Sequence, residues 1–298
     1  NDGGNNASSN SIQAVGNLVV TATGGQIVKT DGNALSLDAA NVSLNASTTI
    51  GAFDGAITAT AGNVALNANG AVAFTAVNAA GSTGSIAITS NAASISGGTL
   101  SAGQDVTLTL NAGSGVTLGA ITAGTGGNGS ISITNSGASD ITLNGNLQTT
   151  RSGLADNVAA ISVTSGRDIL LASTTSLVSN TSGAIRLNAA GAINLKVNDG
   201  GNNASANSLT AAGHLELTAG TSISRTDGNG VNLSGKALSL SAGSSIGALG
   251  GSVVASTGDL VLGALGSIAA DSLSATLGSV DIDSGSTVSA SSLSAGSA

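Results

Sequence analysis

A short alternating pattern, aliphatic-x-aliphatic-x-small, recurs along the whole chain. It begins at Leu18, Val42, Val64, Ile86, Val106, Ile131, Ile161, Ile185, Leu215, Leu238, Leu260 and Val280, twelve starts separated by 20 to 30 residues. A pattern that returns at such a period marks an architecture of stacked repeats, in which each unit buries its apolar face only against its neighbours.

Side chains alternate between faces along a strand, so the first and third positions of each unit point one way and the second and fourth the other. The third positions are Val20, Leu44, Leu66, Ile88, Leu108, Ile133, Val163, Leu187, Leu217, Leu240, Leu262 and Ile282, all aliphatic, and they are expected to form the core ladder. The fourth positions, from Thr21, Asn45 and Asn67 to Gly263 and Asp283, are polar or glycine and form the outer face. Fifth positions such as Ala22, Ala46, Ala68 and Ala219 are mostly Ala or Ser, small enough for a tight corner. A second apolar residue follows eight to ten positions after the first, as Ile50 after Val42, and a third closes many units, as at Leu35, Ile57, Leu100, Ile121, Leu209, Val231 and Val253.

Three short strands per unit, joined by Gly, Ser and Asn corners, describe one coil of an all-β parallel β-helix, or β-solenoid. The expected fold is a right-handed β-helix of about twelve coils, continuous over residues 1–298, with no α-helix. At the usual strand spacing it makes a rod of about 55 to 60 Å. Thr and Asn at equivalent outward positions are expected to form hydrogen-bonded ladders, and the open end edges to be covered by neighbouring coils of a longer parent chain.

Composition agrees. The only aromatics are Phe53 and Phe74, and Trp, Tyr, Met, Cys and Pro are absent, so the core is a narrow one of aliphatics. Pro inside a stacked strand would delete a ladder donor. A net charge of −8 is wrong for a surface that tracks phosphates, which excludes nucleic acid as a partner. The lack of Cys excludes disulfides and thiolate metal sites, and fits an exported chain kept unfolded until it leaves the cell; the lack of any Met suggests a piece of something longer. No apolar run is long enough for a membrane span.

A longer period overlies the coils. The octamer NDGGNNAS at Asn1 to Ser8 returns unchanged at Asn198 to Ser205, KTDGN at Lys29 answers to RTDGN at Arg225, and LSLDAANVSLNASTTIGA at Leu35 to VNLSGKALSLSAGSSIGA at Val231. The displacement is 197 residues, falling to 196 after a deletion near Gly24 and Gly25. The chain thus holds one large repeat, residues 1–197, and a partial second, residues 198–298. Duplication on two scales implies selection for length.

The units GNLVVTA, GNVALNA and GHLELTA resemble the repeat region of filamentous-haemagglutinin-like exoproteins, the large bacterial adhesins of two-partner secretion, over essentially the whole chain. The resemblance implies an extracellular or cell-surface fibre, threaded unfolded through an outer-membrane secretion partner and serving cell adhesion or biofilm cohesion, or as a stalk presenting a toxin or a glycan-binding tip. Implied partners are other copies of the fibre, cell-surface glycans or matrix polysaccharide.

Chemistry is sparse. His214 is the only histidine, and Asn17 occupies its place in the first repeat. Asp281 and Asp283 flank Ile282 on the outer face and are the candidates for a metal or for the paired carboxylates of a polysaccharide-degrading β-helix, yet no third acid, basic cluster or aromatic platform joins them. No catalytic residue and no cofactor is expected. NDGGNN and TDGN have the composition of calcium loops, but each has one Asp (Asp2, Asp199, Asp31 or Asp227), where calcium takes six to eight oxygens; they are read as turns held by Asx bonds. Asn-x-Ser sequons occur at Asn6, Asn41, Asn45, Asn128, Asn180, Asn203 and Asn232, as chance supplies in so Asn- and Ser-rich a chain. The octamer loop, with Asn198, Asp199, Asn202 and Asn203, is the candidate for lateral contacts.

Overall fold

The computed structural model describes residues 10–30, 32–172, 174–197 and 207–296. These residues form strands and turns without any helix, so none is available that is long and apolar enough to cross a membrane. The chain divides into two compact units, Asn1–Gly137 and Ala138–Ala298. Each is a parallel β-solenoid.

In the first unit, six first strands stack in parallel. They occupy the second halves of Asn10–Ala22 and Leu35–Ala46, then Val64–Ala68, Ile86–Ser90, Val106–Leu110 and Ile131–Asn135. Their register pairs Leu18 with Val42, Val42 with Val64, Val64 with Ile86, Ile86 with Val106 and Val106 with Ile131. In the second unit six more, from Ala159–Ser165 to Val280–Ser284, pair Ile161, Ile185, Leu215, Leu238, Leu260 and Val280 in the same way. The starts read from the sequence are therefore the registered residues. Alternation explains why: a slip by one residue would turn every aliphatic outward.

The third-position residues from Leu44 to Leu262 are all at most 1% exposed. Val20 and Ile282, in the outermost first strands of their units, are half-buried. Burying such a side chain contributes about 1.5–3 kcal/mol. At the fifth position the chain turns its corner, and three coils put a polar group inside it. Ser90 donates to the Gly70 carbonyl at 2.7 Å and Ser165 to that of Ser139 at 3.2 Å, while Asn135 accepts from the Gly137 N–H at 3.0 Å. Each inward polar atom thereby meets a corner backbone group that would otherwise lack a partner.

The second and third strands stack likewise. Val72, Ile95 and Val116 are registered in one column, and Ile57, Val77, Leu100 and Ile121 in another. In two coils the third strand begins at the expected aliphatic, Leu35 or Val231, but the apolar column runs through the residue two positions later. Leu37, not Leu35, pairs with Ile57, and Leu233, not Val231, pairs with Leu209 and Val253. Leu35 faces Asp54 instead, and Val231 faces Asn207. Both copies of the repeat make the same shift.

Asparagine ladders run along the outside of the first unit. Asn67 donates to the Asn45 side-chain oxygen at 3.1 Å; Asn91 donates to Asn69 at 2.9 Å and Asn111 to Asn91 at 2.8 Å. A third column, just before the first position, runs from Asn17 through Asn41 to Asn63: Asn41 Nδ2 donates to the Asn17 side-chain oxygen, and the side-chain oxygens of Asn41 and Asn63 accept the backbone N–H of Asn63 and Ser85 in the next coil. The amides of the sequon residues Asn41 and Asn45 are engaged in these ladders.

Candidate functional site

Asp281 and Asp283 are exposed and flank half-buried Ile282. They stand in register with Val261 and Gly263, which offer no ligand. Among the described residues no three of His, Cys, Asp and Glu gather closely enough to hold a metal ion. The lateral-contact candidates Asn198, Asp199, Asn202 and Asn203, and the turn aspartates Asp2 and Asp31, lie outside the described residues.

His214 is half-buried at the start of a first strand in the second unit, beside a shallow groove with Glu216, Ser239 and Asp259. Its acidic neighbours are engaged. Arg186 grips Glu216 with two bonds, Nε to Oε2 at 2.7 Å and Nη2 to Oε1 at 3.2 Å. Asp259 Oδ1 accepts from the Ser279 backbone N–H and hydroxyl, both at 2.8 Å. The backbone bond first, and the hydroxyl second, hold the Asp259 carboxyl below its ordinary value against a weak opposing effect of burial. A depressed carboxyl contributes stability above its unfolded value and loses it as pH falls through the folded one. In Ser279→Ala the Asp259 titration followed by NMR should move part-way back up, the backbone bond remaining.

The TDGN corner is built around a cation. In the second unit Arg225 Nη1 donates to the carbonyls of Asp227, Gly228 and Asn229 at 2.7, 2.6 and 3.1 Å, and Nε donates to that of Ala248 at 2.9 Å. The oxygens that a calcium loop would turn inward are thus turned to a guanidinium. In the first unit Lys29 has this place, donating to the Asn33 carbonyl at 3.0 Å and pairing with Asp54.

The residue facing the cation changes with it. Asp54, the one described non-glycine with positive φ, lies at +58°, and its counterpart 196 residues on is Gly250 at +70°. A side chain on Gly250 would overlap the Arg225 guanidinium. Lysine, with a compact head, leaves room for a carboxylate; arginine fills that room itself. Gly250→Asp should therefore cost about 1–3 kcal/mol, in the manner of an overpacked site. Adding Arg225→Lys should recover most of it in thermal melts, and a neutral single variant would sink this account.

The most enclosed charged side chain among the described residues is Lys196, in the strand Ile193–Val197 of the second unit. The strand Ile193–Val197 carries a register shift against Ile169–Ala172, Leu170 pairing with Asn194 but Ala172 with Val197. The extra residue turns both Leu195 and Lys196 inward, fully buried. Lys196 Nζ lies 3.8 Å from Asp227 Oδ2, whose side chain is 6% exposed. Asn207, at the start of the strand Asn207–Ala211, donates from Nδ2 to the carbonyls of Leu195 and Ala172 at 2.9 and 2.8 Å. Alternation alone places Lys196 outside; nothing in the pattern announces the extra residue.

The fold defines the class: a parallel β-solenoid. Beyond the class, no family model, curated protein or solved structure matches the chain.

Proposed function

We propose that the chain is a shaft segment of a large bacterial surface or secreted exoprotein of the filamentous-haemagglutinin-like kind, serving adhesion or biofilm cohesion without chemistry of its own. The observation that carries this reading is the continuous coil-on-coil register of the first strands within each unit. A device in which every coil is the template for the next extends by duplication, and the 196–197-residue repeat supplies that duplication. Ion pairs such as Arg186–Glu216 and Lys236–Asp156, at 2.7 Å, supply local stabilisation of the surface.

Neighbouring coils of a longer parent chain are the proposed partners of the outermost strands. Ile12, Val288 and Leu293 are 44%, 50% and 60% exposed, whereas Leu37, Ile268 and Leu273, one coil further in, are 1–3% exposed. An outer-membrane secretion partner, other copies of the fibre, and cell-surface or matrix glycans complete the proposal.

Electron microscopy of the intact parent on its cell tests it. A long thin filament is expected, and a compact particle would overturn the reading. Incubation with candidate polysaccharides tests the enzymatic rival: turnover abolished by Asp281→Asn or Asp283→Asn would replace the shaft with a β-helix hydrolase or lyase.

A further inference from the structure

Lys196 and Asp227 meet where water is excluded, and their surroundings are uneven. The lysine is fully buried. On the aspartate, Oδ1 receives the Gly228 N–H at 2.6 Å, while Oδ2, the oxygen facing the amine, is buried without a hydrogen-bond partner. Next along the coil, the buried Asn207 also keeps its Oδ1 without a partner. A buried carboxylate is ordinarily stabilised by hydrogen bonds to both of its oxygens, because desolvation otherwise outweighs the attraction of its partner. The carboxyl here has one oxygen held by an N–H and the other bare, with an amine beside it. Those are the parts of an acyl-transfer site: a nucleophile near a carbonyl carbon and a donor on the oxygen that will carry charge.

We propose that Lys196 and Asp227 condense into a side-chain amide. A proton passes from the ammonium to Oδ2, removing two charges from a medium that penalises both. The Nζ lone pair then forms a bond to Cγ, and the negative charge that collects on Oδ1 is met by the Gly228 N–H. A proton moves from Nζ to Oδ2, the Cγ–Oδ2 bond breaks, and one water leaves as Oδ1 regains its double bond. No oxidant, cofactor or external acid is needed. The product replaces a buried ion pair with a neutral amide and joins the strand Ile193–Val197 to the TDGN corner of the next coil, closing a covalent ring around the octamer. Such a ring limits the unfolded chain as a disulfide does, in a chain without cysteine. The condensation is a property of this corner and stands whether or not the chain is a shaft.

Mass spectrometry of the intact, folded chain tests the proposal. The expected result is a mass lower than the sequence requires by one water, with a proteolytic digest yielding a branched peptide that joins the segments around 196 and 227. Lys196→Arg and Asp227→Ala should each restore the full mass and the linear peptides. A full-mass wild-type chain overturns the proposal. A deficit that survives Lys196→Arg and opens with hydroxylamine also overturns it, since that behaviour belongs to a cyclic imide at Asp227–Gly228. Should either variant fail to fold, the wild-type digest still decides, because only the side-chain amide gives a branched peptide.

Discussion

A chain carrying Leu66→Asp should lose the fold of its first unit altogether. Leu66 is fully buried, with Leu44 registered on one side and Ile88 on the other. Its surroundings are aliphatic, with nothing to pair a carboxylate. Removing the side chain alone, as in Leu66→Ala, costs about 2–5 kcal/mol. An unpaired carboxylate adds a desolvation penalty of several kcal/mol more, which together is comparable with the whole of a typical domain's roughly 5–15 kcal/mol. Because each coil stacks only on its neighbours, the defect withdraws the template from both sides. Limited proteolysis should then cut freely before residue 137, the end of the unit, with loss of β-sheet circular dichroism. Asn67→Ser, one residue away on the outer face, forfeits a single exposed ladder bond, worth about 1 kcal/mol. Equal stability of the Leu66→Asp and Asn67→Ser chains would show that the ladder is not the core.

The contrast between residues 66 and 67 also measures what the sequence makes legible. Period two is enforced wherever one face is dry, so the first-strand starts from Leu18 to Val280 and the aliphatic third positions could be placed without coordinates. What escaped are local departures from that period. A single added residue near Leu195 turned Lys196 inward, and alternation carries no mark of an inserted residue except the insertion itself. Leu35 and Val231 are the first aliphatics of their segments and do open their strands, yet Leu37 and Leu233 hold the column; two aliphatics two residues apart satisfy the same pattern, and only the neighbouring coil chooses between them. The buried fifth-position Asn135 was equally hidden, since its justification is a bond to the Gly137 N–H across the corner. Among candidate site residues, Asp281 and Asp283 stood out for their charge and proved isolated, whereas Arg225 and Asp227, within a motif read simply as a turn, belong to the most densely bonded corner of the second unit.

Glycine illustrates the same limit, and gives the second large effect. Gly97 lies inside the strand Ile95–Ala102, paired with Phe74 on one side and Leu118 on the other, and nothing in the alternating pattern calls for a glycine there. The Phe74 ring, 4% exposed, occupies the space where a side chain on Gly97 would stand. One of the chain's two aromatic residues is thus accommodated by the absence of a side chain in the next coil, large beside small in a single column. Gly97→Val should cost at least the roughly 1–3 kcal/mol of an overpacked core, because a branched side chain there must displace a ring that is itself enclosed. Phe74→Ala alone should cost about 3–5 kcal/mol by opening a cavity. Combining them should be less damaging than the sum, since the valine enters the volume that the ring vacates, and denaturant unfolding of the four chains measures that coupling directly. Additive losses would mean that Gly97 is required for its backbone rather than for the space it leaves to Phe74.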